Sequence, residues 1–499
     1  YLGHKAGYSL AANKNVVIGD QAASGASSAS KSIAIGHQAA NAALGNYVVI
    51  IGGEAGQAGS DEGVVIGYQA GKGVSQGKNV IIGYHANTGT NAGEYSVVIG
   101  KDAGMSGIGS YNVILGEGAA MNSSGTTSSV IIGRDAMGSN IGTGAKLTVI
   151  GANAATAITS CKETVVIGND AGQGLVGGEA GVYIGYQAGG TTVSGMRNTF
   201  VGSSAGSNAV ATLAESTFIG AGAGSSASGA SCCFVGYGAG ASTNTSIEST
   251  AVGHGALRTV TGNYNTAIGK GVMSDGTGGG ASNTGVGQRA LQGVSTGGAN
   301  TAVGAGALQQ GTTTHSSNTA VGKSAGYKTS TSYNTYVGSL AAEKLAGGSG
   351  HNTIVGYAAG RGDSNLFSGS HNTIMGSYAL GDNSLASSNR NIILGYRAAY
   401  EGLTIDDNVI IGYQAAYNEE TGDQNVFIGY ESAYDGDGSA NNVIIGYKAG
   451  HGWTGTPASN VAIGHTALSG ALTGSDNTAV GHLAGRYYVG GRTVSYTLL

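Results

Sequence analysis

One motif recurs along the whole chain: an aliphatic residue precedes a glycine, and a small residue, almost always alanine, lies three positions after that glycine. There are 29 such glycines between Gly3 and Gly481, separated by 15 to 20 residues and by about 17 on average. A short, unbroken period of this kind is typical of a solenoid, in which each repeat forms one coil that stacks on the next. The regular spacing leaves no room for an inserted domain, so we predict one continuous β-solenoid domain over residues 1–499.

The residues before the motif glycine predict a short strand in each coil. The residue just before it is Ile, Val, Leu or Met, and the residue two places earlier is usually Val, Ile or Thr. Because side chains alternate across a strand, these two positions share a face, which we predict to be the buried core. The residue between them, as at Phe218 and Ile444, is apolar as well and is predicted to point outward. A strand that is apolar on both faces is expected to be covered on both, so we predict a second layer or a second chain over the outward face.

The glycine and alanine columns predict close packing within the coil. Motif glycines such as Gly19, Gly36 and Gly304 are expected to turn the chain at positive φ or to admit a close backbone approach. The position three residues later is Ala in 27 of the 29 repeats, as at Ala39 and Ala307, which indicates room for no more than a methyl group. A row of large residues opposite a row of small ones predicts a flattened parallel β-roll with two short strands per coil.

A third column is polar. In 17 repeats Asn lies four residues before the motif glycine, as at Asn300. Asn tolerates left-handed turn geometry and can hydrogen-bond its equivalent in the next coil, so we predict a structural asparagine ladder rather than a row of ligands.

Composition narrows the class of protein further. Helix is disfavoured because Gly accounts for 96 of the 499 residues, and disorder is disfavoured by the strict aliphatic period and the single proline. With 10% charged residues and a net charge of −5, the chain has no basic footprint for nucleic acid. Its three cysteines lack metal-site spacing and are predicted to be buried thiols. No apolar run is long enough to cross a bilayer, so we expect no membrane insertion.

Two segments carry a resemblance to known families. Residues 32–39 (SIAIGHQA) resemble the head repeat of YadA-type trimeric autotransporter adhesins, and residues 300–308 (NTAVGAGAL) resemble repeats in bacteriophage tail fibres and in surface proteins of large viruses. The resemblance covers essentially the whole chain and implies a left-handed parallel β-roll that packs as a homotrimer. The repeat here is longer than the usual adhesin head repeat, and no neck motif, heptad stalk or membrane anchor is found, which favours a fibre segment. Because the chain begins inside a repeat, we expect it to be a piece of a longer fibre.

Two groups of residues are candidates for ligand binding. Four successive coils carry Tyr after the motif glycine, and these side chains are predicted to stack as an aromatic ladder that binds a glycan or stiffens the roll: Tyr396, Tyr413, Tyr430 and Tyr447. The acidic residues Asp435 and Asp437 could ligate Ca²⁺ through loop oxygens, although a solvated acidic rim is the simpler interpretation. The tetrapeptide at residues 361–364 (RGDS) matches an integrin-recognition motif that arises easily by chance in such a chain.

These observations favour a non-enzymatic, extracellular fibre without a cofactor, used in attachment to a host and located on a virus or cell surface. The alternatives are a trimeric adhesin head, a subunit that polymerises head to tail, and a glycan-cleaving tailspike. A homotrimer or filament of the chain itself and a host glycan or receptor are the expected partners. Ice binding is disfavoured because the threonine column lies on the predicted core face.

Overall fold

A computed structural model describes the chain with the exception of residues 12, 27, 60, 91–92, 139–143, 192–194, 210–212, 243–245, 277, 311–313, 346–349, 363–367, 382–387, 403, 419–420, 437, 471 and 488–499. The chain divides into two compact units, Tyr1–Glu248 and Ser249–Leu499. Each is a parallel β-solenoid built from the same coil: a three-residue strand, the motif glycine and a run of turns. In the described part of the chain no helix has the length and apolar character that a membrane span requires.

The described residues of the first unit form fourteen strands, β1 to β14, and successive strands within this set pair in parallel. Their bounds are β1 Val16–Ile18, β2 Ile33–Ile35, β3 Val49–Ile51, β4 Val64–Ile66, β5 Val80–Ile82, β6 Val97–Ile99, β7 Val113–Leu115, β8 Val130–Ile132, β9 Thr148–Ile150, β10 Val165–Ile167, β11 Val182–Ile184, β12 Thr199–Val201, β13 Thr217–Ile219 and β14 Cys233–Val235.

The second unit repeats the arrangement with β15 to β28, again paired in parallel from each strand to the next. Their bounds are β15 Thr250–Val252, β16 Thr266–Ile268, β17 Thr284–Val286, β18 Thr301–Val303, β19 Thr319–Val321, β20 Thr335–Val337, β21 Thr353–Val355, β22 Thr373–Met375, β23 Ile392–Leu394, β24 Val409–Ile411, β25 Val426–Ile428, β26 Val443–Ile445, β27 Val461–Ile463 and β28 Thr478–Val480.

The strands confirm the predicted fold class but reverse the predicted faces. In every strand the middle residue is buried and its two neighbours are half-buried or exposed, as in β13, where Phe218 is inaccessible and Ile219 is 40% exposed. The prediction that Phe218 and Ile444 point outward is therefore wrong, as is the prediction that the residue before the glycine is the core. The two-residue period correctly places the flanking positions together, but the shared face is the outer face of the coil.

The interior is filled by pairing the middle strand residue with the residue four places after the motif glycine. In the coil of Phe200 that partner is glycine, and a β-carbon added to Gly206 would lie 2.6 Å from the Phe200 ring. In the coil of Ala302 the partner is large, and Leu308 is fully buried. In several coils, though not in all, such an exchange of volume keeps the interior close-packed while the strand sequence varies.

The turn after each strand confirms the predicted roles of glycine and alanine. Gly19, Gly36 and Gly304 have φ of 132°, 135° and 137°, and a β-carbon on Gly36 would lie 2.5 Å from the carbonyl oxygen of the next motif glycine. Ala39 and Ala307 are fully buried, as a site limited to a methyl group requires. These alanines lie in a turn rather than in a strand, so the alanine column does not form the expected second strand of the coil.

The asparagine column forms the predicted ladder. Asn300 donates from its backbone N–H and from Nδ2 to the Oδ1 atom of the preceding Asn283, both at 3.0 Å, and its Nδ2 also donates to the carbonyl of His315 at 3.0 Å. Its own Oδ1 accepts from the backbone N–H of Asn318 at 3.0 Å. The left-handed residue is the one before the asparagine, Ala299, with φ of 56°, so the column is explained by hydrogen bonding and not by turn conformation.

Candidate binding surface

The predicted tyrosine ladder forms on the turn that follows the strand. Ring centroids are 5.3 Å apart for Tyr396 and Tyr413, 5.1 Å for Tyr413 and Tyr430, and 5.2 Å for Tyr430 and Tyr447, with interplanar angles of 4–22°. The stack continues through His465 and then His482. Each tyrosine is 38–45% exposed. Because neighbouring rings cover one another's faces, solvent reaches mainly the ring edges, and a sugar cannot stack on the interior members of the ladder.

A second aromatic ladder, which sequence reasoning missed, runs four residues further along each turn. Tyr400, Tyr417 and Tyr434 stack at 5.1 and 5.0 Å, and His451 stacks on Tyr434 at 5.1 Å. The signal was present as the repeated pattern Y-x-x-x-Y at residues 396–400, 413–417 and 430–434. The two ladders flank a row formed by the second residue after each motif glycine.

Charged side chains fill part of that row. The Glu431 carboxylate accepts a hydrogen bond from Lys448 Nζ at 3.0 Å and lies 3.3 Å from His451 Nε2. Partial burial opposes ionisation of Glu431, but hydrogen bonds from Tyr430 and Lys448 lower the pKa of its carboxyl below the ordinary value. The same contact with Glu431 and partial desolvation raise the pKa of Tyr430 to about 12. In these coils the space between the two ladders is filled by Glu431 and Lys448, whose opposite charges balance each other.

Arg397 occupies the same row two coils earlier and has a different environment. Its guanidinium carbon lies 5.3 Å from the Tyr396 ring centroid, 5.1 Å from that of Tyr400 and 5.7 Å from that of Tyr378. The Nε–H group is shielded from water and has no hydrogen-bond partner within the described residues. Arg397 is thus a cation held by aromatic rings rather than by a carboxylate.

The predicted calcium residues are only partly placed. Asp435 accepts a hydrogen bond from Asn418 Nδ2 at 3.0 Å and lies 3.7 Å from His451 Nδ1, whereas Asp437 lies outside the described residues. Across the described parts of the chain, no group of three His, Cys, Asp or Glu side chains is arranged to hold a metal ion. Asp435 therefore belongs to the polar network beside the second ladder.

The remaining candidate residues have structural surroundings. Arg361 of the RGDS segment pairs with Glu343 at 3.0 Å, and residues 363–364 lie outside the described residues. Cys161 and Cys232 are buried, as predicted, while Cys233 is half-buried in β14. Burial raises the pKa of the Cys161 thiol to about 11, which keeps it protonated and unreactive at neutral pH.

The outward strand face is a second candidate surface. It consists of the first and third residues of each strand, which we call the outer columns. These residues are Val, Ile, Thr and, less often, Leu, Met or Cys, and the most exposed of them, such as Val16 and Val480, are each 46% exposed. In each unit, every described strand contributes Val, Ile, Leu or Met to the outer columns.

No protein-family model matches this chain, and no curated protein shows significant similarity to it.

Proposed function

We propose that the protein is a non-enzymatic fibre segment whose copies associate side by side through the outer columns, three chains to a particle. The observation that carries this proposal is the partial solvent exposure of Val, Ile, Leu or Met side chains on every described strand of each unit. Soluble proteins rarely leave contiguous apolar surface of this extent uncovered. The resemblance of residues 32–39 to trimeric adhesin heads supports three copies as the arrangement that covers it.

A second copy of the same chain is a better partner than an unrelated protein because the outer columns are periodic. Side chains recur along them once per coil, at a strand spacing of about 4.8 Å. A partner with the same period can match every coil, as identical copies do in a symmetric oligomer. The many coil-to-coil backbone hydrogen bonds, such as Gly36 N–H to the Ile18 carbonyl at 2.8 Å, would make each chain a stiff element of the fibre.

The proposed fibre is extracellular and holds a recognition element away from a virus or cell surface. A structural role is supported by the arrangement of the polar side chains, which recur as columns along the coils instead of converging in one cleft. An enzyme needs a singular set of groups positioned around one reacting atom. A host glycan or receptor is the proposed external partner.

Charge placed on the outer columns tests the proposal. In β18 and β19 the exposed third residues are Val303 and Val321. The double substitution Val303→Asp with Val321→Asp should lower the particle mass measured by sedimentation. The circular dichroism spectrum should stay unchanged, because the coil itself remains folded. Ala305→Asp is the control for added negative charge, because it places one of the two charges at an exposed turn position beside β18 and off the outer columns. A double variant that retains the parent's mass contradicts lateral association through this face.

One observation favours a second function for the same face. Eight successive coils, β15 to β22, begin with Thr, and these threonines lie on the outer columns beside Val, Ile or Met. Evenly spaced hydroxyl and methyl groups on an uncovered face can order water, so the reason for disfavouring ice binding from the sequence no longer holds. Thermal hysteresis and altered ice-crystal growth, lost in a Thr301→Lys variant, would support ice binding; their absence in the parent would exclude it.

A further inference from the structure

The solenoid places tyrosines at the same position of successive coils, so that their rings stack in pairs. The described residues contain seven such pairs, with ring centroids 5.0–5.5 Å apart and ring planes within 22° of parallel. Five pairs belong to the two ladders of the second unit, and the other two are Tyr68 with Tyr84 and Tyr95 with Tyr111. Because both rings of a pair leave equivalent positions of the backbone, their hydroxyl groups and the ring carbons beside them lie next to each other.

Solvent reaches mainly the edges of these rings, where the hydroxyl groups are. The tyrosines of the first ladder are 38–45% exposed, and Tyr95 and Tyr111 are 48% and 62% exposed. A one-electron oxidant can therefore act on the phenol edge of one ring while the adjacent ring is already in place to react. At Tyr430 the Glu431 carboxylate accepts a hydrogen bond from the phenol and is positioned to take its proton when the electron leaves.

We propose that the stacked tyrosines are sites of oxidative cross-linking, at which a haem peroxidase and hydrogen peroxide join the rings of neighbouring coils as dityrosine. Each phenol loses one electron and one proton, and the two phenoxyl radicals form a carbon–carbon bond between the ring carbons beside the hydroxyl groups. The hydrogen atoms on those two carbons then move to the oxygens, which restores both phenols. Overall, two tyrosines and one hydrogen peroxide give one dityrosine and two water molecules.

The geometry allows this bond to form within one chain. The two rings are separated by little more than the strand spacing of about 4.8 Å, and the broad χ2 torsion of tyrosine lets their edges turn toward each other. All three cysteines are free, so no disulfide joins one coil to another. Dityrosine would add the covalent link between coils that the cysteines do not provide. The ladders lie on the turn after the strand and not on the outer columns, so this modification goes beyond the lateral association proposed above and does not depend on it.

Other exposed tyrosines separate the effect of stacking from that of exposure. Tyr186 and Tyr264 are 50% and 56% exposed, more than any tyrosine of the first ladder, but neither has a tyrosine at the same position of the coil before or after it. If exposure alone decided the reaction, these two residues would couple at least as readily as the ladders. If stacking decides it, the links should lie in the ladders.

Reciprocal variants in one coil test the inference. The folded protein is treated with a haem peroxidase and hydrogen peroxide, and dityrosine links are located by tandem mass spectrometry in chains that keep the monomer mass on a denaturing gel. Tyr430→Phe should lose the links 413–430 and 430–447 and keep the link 417–434, whereas Tyr434→Phe should lose 417–434 and keep 413–430. Phenylalanine retains the stacked ring, so both variants should fold as the parent does.

The yield in the unfolded chain completes the test. We expect the folded parent to form at least about tenfold more dityrosine than the same chain in urea, as expected for reacting groups that are held together. Equal yields in the two states, or no dityrosine in the folded protein, would overturn the inference. Links through Tyr186 or Tyr264 as abundant as those in the ladders would overturn it as well, and so would dityrosine confined to bands of two or more chains.

Discussion

Replacing Phe218 tests whether the middle residue of the strand lies in the interior of the coil or on its outer face. The Phe218 ring stacks between Phe200 and Phe234, with centroid distances of 4.6 and 5.0 Å, and is completely buried. Truncation of a buried Phe to Ala costs about 3–5 kcal/mol. We expect Phe218→Ala to lie near the upper end of that range, because the space-filling partner in its coil is Gly224, which has no side chain to move into the cavity.

The neighbouring residue provides the control. Ile219 lies in the same strand but is 40% exposed, so Ile219→Ala should cost only about 1 kcal/mol of coil stability by loss of apolar contact. Hydrogen exchange of peptides covering residues 199–235 measures the opening free energy of these coils directly. A Phe218→Ala variant whose exchange matches the parent within about 1 kcal/mol, which is far below the cavity cost, would refute the assignment of the middle residue to the interior.

Three further predictions concern the asparagine ladder, a motif glycine and a surface ion pair. Asn300→Ala should destabilise its coil by about 1–3 kcal/mol in chemical denaturation, because the buried N–H of Asn318 loses its acceptor. Asn300→Ser should lower the free energy of unfolding by less. Equal decreases in the two variants would argue against the hydrogen bond as the cause. Gly304→Ala should lower the melting temperature, because Gly304 has a φ of 137° and the added methyl group would overlap the carbonyl of Gly322. A variant that melts at the same temperature as the parent would contradict this close approach. The hydrogen bonds from Arg390 lower the pKa of Asp407, so the pair stabilises the fold above the ordinary value of 3.8 and this contribution is lost as pH falls through the lowered pKa. Arg390→Gln should therefore differ slightly in stability from the parent at neutral pH, and the difference should shrink as the pH is lowered below 3.8. A difference that stays constant on acidification would exclude this ion pair as its origin.

The sequence predicted the coil and its period because both depend on the recurrence of a few residue types. Glycines at positive φ, alanines without room for growth and the hydrogen-bonded asparagine column were each predicted from a single residue property. The two faces of the strand were reversed because the middle residue is apolar like the residue before the glycine, and the two-residue period specifies which residues share a face but not which face is inward.

A signal for the correct assignment was present in the size of the residues. The middle residue ranges from Ala302 to Phe218, while Leu308 and Gly224 change in the opposite direction at the paired position. Such compensation is expected only of side chains that share a closed volume. The tyrosine ladder was predicted from its column, but Arg397 and the second ladder were not, because their roles depend on how the turn brings separate columns together.

The mass of the intact, undenatured particle tests lateral association most directly. Light scattering after size exclusion should give three times the chain mass of 48.7 kDa, at a value that does not change with concentration. A stable particle of one chain would contradict the account, because the outer columns would then be exposed to water along both units. A mass that rises steadily with concentration would also contradict it and would identify the chain as the subunit of an open polymer.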